Sequence, residues 1–285
     1  MTIQWYPGHM AKATREVREL IKRVDVVVEL ADARIPQASR NPVLNDILSE
    51  RPRVLALVKT DMADEAITKA WQQHFEQNGK AVVLMNAKHN QGSGKLIQEV
   101  NRLAQPKMQA LQKKGIQNRS VRAMILGIPN VGKSTVINRL VGKNQAKTGN
   151  KPAVTQGNHW LKVSNQMDVL DTPGILWPKF EDPEVGYKLA ITGAIKDERL
   201  DFQDVVLYLI RQLHDRYPDA LKERYNLPEL PSEGVELFEA IGRKRGCLIA
   251  GGDVDFDQAA EVILRDFRSQ KLGPISLEKP NDGPI

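Results

Sequence analysis

The sequence GIPNVGKST, residues 127–135, constrains the fold more than any other stretch of the chain. It matches the pattern G-x-x-x-x-G-K-S/T, in which backbone N–H groups cradle phosphates, the lysine reaches the terminal phosphates and the hydroxyl ligates Mg²⁺. The defining positions are Gly127, Gly132, Lys133 and Ser134. The apolar run at 123–126 predicts a strand before the loop, and the spacing of 134–142 predicts a helix after it. This context indicates a P-loop, although 126 residues precede it.

Short β-branched apolar runs predict further buried strands around this loop. These strands are expected at 24–32, 53–58, 81–86, 159–163 and 167–171. Helical patterns separate several of them, notably at 64–78 and 93–112. Alternating strands and helices predict an α/β sheet that is covered on both faces.

The character of the sequence changes after Pro178, where strand patterns stop. Helical patterns follow at 183–196, 201–216, 233–245 and 257–270. We therefore predict an α/β domain over residues 1–178 and a smaller, mainly α-helical domain over residues 179–285. The tail GPISLEKPNDGPI is expected to be frayed.

The motif DTPG, residues 171–174, follows a predicted strand and supplies the next part of a phosphate site. Asp171 is positioned to hold Mg²⁺ through water, and the backbone N–H of Gly174 to meet a γ-phosphate. Thr155 lies between the P-loop and this motif and is a candidate for a second Mg²⁺ hydroxyl. Any one of these features has an ordinary turn interpretation, but their joint order and spacing favour a nucleotide site.

Two motifs that would read a guanine base lie upstream of the P-loop rather than downstream: VKTD, residues 58–61, and NAK, residues 86–88. Asp61 would accept hydrogen bonds from guanine N1 and the exocyclic amine, which adenine does not offer. The stem of Lys59 would cover the base, and the N–H of Ala87 would meet the guanine carbonyl oxygen. The predicted nucleotide-binding residues are Lys59, Thr60, Asp61, Asn86, Ala87, Lys88, Asn130, Val131, Gly132, Lys133, Ser134, Thr135, Thr155 and Gly174.

This order of motifs predicts a circularly permuted P-loop GTPase domain, with the base-binding half first and the phosphate-binding half second. A sheet tolerates such permutation when its former termini lie near one another. GTP or GDP and Mg²⁺ are the expected ligands. A small-molecule kinase is disfavoured because Asp61, NAK and DTPG together describe a GTPase site.

Charge is unevenly distributed along the chain, whose formal net charge is +6. Twelve basic residues and no acidic residue lie between Glu99 and Asp168. The part of this run from Lys107 to Arg122 precedes the P-loop strand and suggests either a polyanion partner such as RNA or a solvated basic surface. A second basic cluster, Arg243, Lys244 and Arg245, suggests either contact with RNA or cations that suit the C-terminus of a helix.

Composition indicates a cytoplasmic protein. The amino-terminal segment lacks the apolar run of a signal peptide, and no stretch has transmembrane length. Cys247 is the only cysteine, which suits a small buried side chain in a reducing compartment.

The permuted order, together with WYPGHMAKA, DARIP, GIPNVGKST and LDTPGILWPKFED, closely resembles the bacterial ribosome biogenesis GTPase A family. The resemblance covers nearly the whole chain and weakens over the last fifteen residues. It implies a GTPase that acts late in assembly of the large ribosomal subunit, with a helical C-terminal domain that contacts ribosomal RNA. We expect no membrane partner and no DNA partner, and a monomer away from the ribosome.

Two residues depart from the family pattern. Val58 stands where asparagine is usual, so we expect guanine affinity to be lower by about 1–2 kcal/mol, the worth of one or two neutral hydrogen bonds. Ala153 stands where glycine is usual, which weakens the assignment of Thr155 because alanine resists positive φ.

Hydrolysis raises a separate question, because Ile175 occupies the position where many GTPases have a water-orienting glutamine. Resemblance and chemistry together nominate His9 as the catalytic group beside Lys133 and Gly174, against an ordinary surface histidine. His159 is the second choice. Asn130 suggests either a K⁺ ligand, as in K⁺-stimulated GTPases, or loop-stabilising hydrogen bonds. The alternative function is a nucleotide-gated RNA-binding module with little relevant turnover.

Overall fold

A computed structural model describes residues 8–48, 51–117, 119–142, 160–172, 174–176, 180, 182–195 and 202–280, with the backbone alone for residues 8–13. The strands are β1 (Val26–Asp32), β2 (Arg53–Val58), β3 (Ala81–Met85), β4 (Val121–Leu126), β5 (Trp160–Ser164) and β6 (Met167–Leu170). The helices of the first half are α1 (Gly8–Leu20), α2 (Val43–Leu48), α3 (Glu65–Gln77), α4 (Ser93–Lys113) and α5 (Lys133–Val141). Those of the second half are α6 (Pro183–Ile191), α7 (Phe202–Arg216), α8 (Pro218–Tyr225), α9 (Gly234–Lys244) and α10 (Phe256–Arg268).

The strands form one sheet in the order β3-β2-β1-β4-β6-β5, in which only the β5–β6 pair is antiparallel. Every residue of β1 is buried, as expected for a parallel strand with helices on both sides. The chain winds outward from β1 to β3, then returns to place β4 on the other side of β1. The β1–β4 junction is therefore the topological switch point, the position at which open α/β sheets bind ligands.

Helices cover both faces, which confirms the predicted α/β class. Alternate β1 residues such as Val28 and Leu30 pack on the face covered by α4 and α5. Val27 lies on the opposite face with α1 and α2, and Ala31 lies there with α3. The β2 and β3 strands, which carry the base motifs, precede β4 in the sequence, so the order of a circularly permuted domain is present in the structure.

In the described residues 182–195 and 202–280, the regular elements are helices, and one isolated antiparallel bridge joins Leu248 and Val254. Four of these helices match the predicted helical segments, whereas α8 was not predicted. One continuous cluster of buried apolar side chains runs from the sheet into these helices, so separate cores do not mark the predicted boundary after Pro178. That boundary stays a prediction. None of the described helices combines the length and the apolar composition needed to cross a bilayer.

The expectation of a frayed tail was wrong for residues 273–280. Ile275 and Leu277 are buried, and their backbone N–H groups donate to Met62 O and Arg34 O at 3.0 and 2.8 Å. The indole N–H of Trp71 donates to the Glu278 carbonyl at 3.0 Å. The tail therefore packs onto the sheet domain, and residues 281–285 lie outside the described part of the chain.

Candidate functional site

The site lies along the carboxyl edge of the parallel strands. Polar or glycine residues stand at the ends of five of them, and the β1–β4 switch point is at the centre. These residues are Asp32 at the end of β1, Lys59 after β2, Asn86 after β3, Gly127 after β4 and Asp171 after β6. Because parallel strands end at the same edge, the permutation leaves the base and phosphate motifs side by side.

The P-loop lysine is buried against its own loop. Lys133 Nζ donates to the carbonyl oxygens of Gly127 at 3.2 Å and Ile128 at 3.0 Å. Burial lowers the pKa of Lys133 to about 8, with the neighbouring Asp171 raising that pKa and Lys59 lowering it. The ammonium therefore stands in an environment that favours the arrival of an anion such as a terminal phosphate.

Gly174 lies against the P-loop so closely that no side chain fits there. A Cβ built on it would lie 2.8 Å from Pro129 N and 3.0 Å from Lys133 Nζ. The next residue, Ile175, donates its N–H to Gly127 O at 3.2 Å, and its side chain is buried. The DTPG segment and the P-loop therefore meet at the position that the sequence predicts for a γ-phosphate contact.

The residues predicted to hold Mg²⁺ offer the oxygen donors that this ion prefers. Asp171 is buried at 5% exposure and lies near the Lys133 ammonium, whereas the hydroxyl-bearing Ser134 is partly exposed. No group of three or more His, Cys, Asp or Glu side chains in the described residues could hold a metal by itself. This donor set suits Mg²⁺, which is commonly held by one or two protein groups together with substrate phosphates. Thr155 lies outside the described residues.

The predicted guanine reader, Asp61, lies in a 3-10 turn over Thr60–Met62. Its side chain is partly exposed, and its carboxylate makes no hydrogen bond or ion pair with any described residue. A carboxylate in this state is available to the two donors on the Watson–Crick edge of guanine.

Lys59 connects the base motif to the P-loop. Its backbone has φ 59°, and its Nζ donates to Asn130 O at 2.8 Å and to Asp32 Oδ2 at 2.9 Å. Val58 before it is buried at 2% exposure. Lys59 thus joins this strand end to the P-loop. The expected loss of affinity from Val58 stays a prediction.

Asp32 and Arg34 are functional candidates that sequence reasoning missed. The Arg34 guanidinium donates to both Asp32 oxygens, at 2.9 and 2.7 Å, and both side chains are buried. Burial alone would raise the pKa of Asp32, but the charges of Arg34 and Lys59 outweigh it and hold that pKa far below its ordinary value. Asp32 thereby fixes Lys59 in place. An acidic residue at the end of a buried strand was the available signal.

Arg139 is a second residue that sequence reasoning missed. It lies in α5, the helix that follows the P-loop, and donates to Ala87 O at 2.8 Å and Lys88 O at 3.1 Å. The loop that it holds begins at Asn86, whose side-chain oxygen accepts from His89 N at 3.3 Å. Helix α5 therefore fixes the loop of the second predicted base motif, although Arg139 lies 52 and 51 residues from Ala87 and Lys88 in the sequence.

Replacing Arg139 with methionine is expected to weaken GDP binding by about tenfold, since hydrogen bonds from a charged donor contribute about 1.5–3 kcal/mol and this one is only partly buried. Methionine keeps the apolar stem and removes the guanidinium. Equilibrium titration with a fluorescent GDP analogue measures the effect. Arg265→Met, on an exposed arginine of α10, is the matched control. Equal affinities in the two variants would contradict the assignment.

Some of the remaining predicted site residues lie in the described part of the structure, and others do not. Asn130 has φ 56°, and its Nδ2 donates to Gly193 O at 2.7 Å, so this P-loop side chain contacts the segment after α6. The backbone of His9 belongs to α1, but its side chain lies outside the described part of the structure. The whole of His159 lies outside that part. Val131 is buried and Thr135 exposed beside Gly132, whose φ is 113°.

Two of the basic residues predicted to meet RNA have structural partners. Lys107 Nζ and Arg119 Nη1 lie 2.6 and 2.9 Å from the buried carboxylate of Asp25. Lys113 and Lys114 are exposed at the end of α4. Lys107 is exposed as well but is paired with Asp25, so the RNA prediction for this run rests mainly on Lys113 and Lys114.

The basic residues around the end of α9 are exposed, although two of them contact neighbours. Arg243 contacts Glu239 at 2.7 Å and Arg245 contacts Asp266 at 3.7 Å. Lys244 is the third member of this group. Part of the positive charge here thus stabilises the helical fold, as cations near a helix C-terminus do.

Comparison with known proteins agrees with this geometry. A family model described as 50S ribosome-binding GTPase matches residues 122–232. Ribosome biogenesis GTPase A of Bacillus licheniformis is 53% identical over 282 residues, with 99% of this chain and 100% of the relative covered. The protein of the same name from Thermotoga maritima is 32% identical over 280 residues, with 98% and 95% covered.

Solved structures give the same result. The crystal structure of GNP-bound YlqF from T. maritima matches with a TM-score of 0.67 and 29% identity, covering 95% of this chain and 100% of that chain. A GDP-bound structure of TM YlqF matches with a TM-score of 0.66 and 29% identity, covering 94% and 100%. With its P-loop, its upstream base motifs and this similarity over its whole length, the chain is a GTPase of the ribosome biogenesis GTPase A family.

Proposed function

We propose that this GTPase is an assembly factor for the large ribosomal subunit, which binds ribosomal RNA in a late precursor and leaves when GTP is hydrolysed. This nucleotide-dependent release is supported by the hydrogen bond from Asn130 in the P-loop to Gly193 O, after α6. A side chain within the phosphate loop thereby contacts the helical half directly. Relatives named ribosome biogenesis GTPase A support the ribosomal partner.

Nucleotide binding divides between the two motif groups. Asp61 would read the guanine edge, Lys59 would cover the base, and the loop at 86–88 would meet the carbonyl oxygen of the base. Lys133 and the P-loop N–H groups would hold the β- and γ-phosphates. Mg²⁺ would be held by Ser134 and Asp171, with Thr155 as a further ligand, and when bound it neutralises charge on the phosphates. The cytoplasm is the proposed location.

Hydrolysis requires a group that orients water, and the buried Ile175 side chain has no polar atom to do so. We assign this role to His9, as the resemblance implies, with Lys133 and Gly174 stabilising charge on the transferred phosphate. Asn130 is the proposed ligand of K⁺, which would add positive charge at the same place.

Ile175 also favours the second candidate function, an RNA-binding module gated by the bound nucleotide, in which turnover has little importance. Without a water-orienting side chain next to Gly174, the slow GTP-bound state is the default. In that case the described contact between the P-loop and Gly193 would still transmit the nucleotide state. Only stimulation of turnover by a ribosomal particle separates the two candidates.

Nucleotide-gated binding to the large subunit tests what both candidates share. We expect the protein to sediment with purified large subunits in a GTP analogue and to be released in GDP. Lys113→Gln with Lys114→Gln is expected to weaken sedimentation, because these exposed lysines would contact phosphates. Lys22→Gln with Lys69→Gln removes the same charge elsewhere and serves as the control. Sedimentation that does not depend on the nucleotide would contradict the proposal.

A further inference from the structure

Helix α10 ends in a turn whose key position has an unexpected residue. Gln270 has φ 63°, the left-handed conformation that glycine adopts most readily. Its N–H donates to Phe267 O at 3.1 Å, and the next N–H, of Lys271, donates to Asp266 O at 2.9 Å. These two bonds form a Schellman motif, in which the left-handed position is usually glycine. A glutamine here is strained, and the turn itself does not need its side chain.

That side chain contacts the proposed guanine-reading turn. Gln270 Nε2 donates to the main-chain carbonyl of Asp61. Gln270 begins a segment that we name the C-terminal strap, residues 270–278. Two more hydrogen bonds join this strap to the same turn and the residues after it. Ile275 N donates to Met62 O at 3.0 Å, and Asp64 N donates to Ser276 Oγ at 3.1 Å. The strap therefore meets residues 61–64 at three successive points.

The strap is itself firmly anchored to the sheet domain. Its residues 275–278 are buried. The Glu278 carboxylate accepts from the N–H groups of Gln37 at 2.7 Å and Ala38 at 3.2 Å, and lies 3.5 Å from Lys188 Nζ. In the Thr60–Met62 turn, Met62 N donates to Lys59 O at 2.9 Å. The strap is thus held in place by contacts that lie outside this turn.

We propose that Gln270 is a positioning residue for guanine recognition, which holds the backbone of Asp61 so that its carboxylate meets the base. This inference rests on the proposed role of Asp61. A strained backbone that persists where glycine would be easier indicates that the side chain has a use. The C-terminal strap then contributes to nucleotide specificity, although Gln270 lies 209 residues from Asp61 in the sequence.

The test compares GDP with inosine diphosphate, which lacks the exocyclic amine that Asp61 would accept from. Gln270→Gly removes the side chain and the strain, whereas Gln270→Ala removes the side chain and keeps the strain. We expect both variants to bind GDP about fivefold more weakly, the effect of one neutral hydrogen bond, and inosine diphosphate, which keeps the N1–H, to be weakened less than GDP. The Tm of Gln270→Gly should equal or exceed that of the wild type.

The matched control is Asn226→Gly, on an exposed residue with φ 51° at the end of α8. It relieves the same kind of strain away from the site and should leave both affinities unchanged. If Gln270 had a purely structural role, the Tm of Gln270→Gly would fall, or the binding of GDP and of inosine diphosphate would weaken equally. Either result would overturn the inference. An unchanged preference for GDP in both Gln270 variants would also overturn it.

Asp61→Asn distinguishes the inference from the function on which it rests. If this variant loses the preference for GDP while Gln270→Gly retains it, only the positioning role fails. If Asp61→Asn itself retains the preference, Asp61 is not the reader, and both proposals fail. Loss of preference in both variants supports the two proposals together.

Discussion

Lys133→Met is expected to reduce GTP turnover by at least about 100-fold, the usual effect of removing one preorganised charge donor from a transition state. The lysine is buried at 8% exposure and donates to Gly127 O and Ile128 O, so its position is fixed before any nucleotide arrives. Methionine keeps the length of the stem and removes the charge. Single-turnover hydrolysis at saturating GTP separates this loss from weaker binding.

The pH dependence of GDP affinity gives a second measure of the same lysine. Its pKa is lowered to about 8, chiefly by burial, and a bound phosphate would raise that pKa again. The GDP affinity gained from the Lys133 charge is therefore complete below about pH 8. It declines as the pH rises through the pKa that this lysine has in the free protein, by up to about tenfold per pH unit. The affinity advantage of wild type over Lys133→Met should narrow between pH 7 and about 9.5. A constant ratio over this range would contradict the assignment, and Lys95→Met, on an exposed lysine, is the control.

Asp61→Asn is expected to weaken GTP and GDP binding by about 100-fold or more, because two hydrogen bonds to a charged acceptor are lost at about 1.5–3 kcal/mol each. The asparagine amide can instead donate to the carbonyl that xanthine has in place of the exocyclic amine. The variant should therefore prefer xanthosine nucleotides to guanosine nucleotides.

Competition binding with guanosine, xanthosine and adenosine diphosphates measures this preference. Asp46→Asn, on an exposed acidic residue of α2, controls for the loss of one negative charge. A uniform fall in affinity for all three nucleotides would show that Asp61 supports the loop but does not read the base.

The sequence predicted those features that depend on local pattern. The strands at 53–58 and 167–171 and the helices around 65–77 and 93–113 were predictable because periodicity and β-branched content report burial directly. The permuted order followed from motif positions alone. Helix α8 was missed, and so was the docking of the tail, since Ile275 and Leu277 are covered by residues that lie far away in sequence.

The same physical limit explains the missed site residues. Arg139 fixes the loop at 86–88, Asp32 fixes Lys59, and Gln270 contacts Asp61, each across the fold. No short motif encodes such pairs, because each is created when the parallel strands end at one edge. The residues predicted to touch the nucleotide were recognisable from spacing, and those that hold them in place required the structure.

We propose that the large ribosomal subunit stimulates GTP hydrolysis by this protein. We would measure GTP hydrolysis in K⁺ buffer with and without purified large ribosomal subunits, with ATP as the nucleotide control and Lys133→Met as the inactive protein. We expect strong stimulation that is specific to GTP and absent from Lys133→Met. Subunits that bind the protein and leave its GTP turnover unchanged would contradict it and favour the nucleotide-gated RNA-binding module.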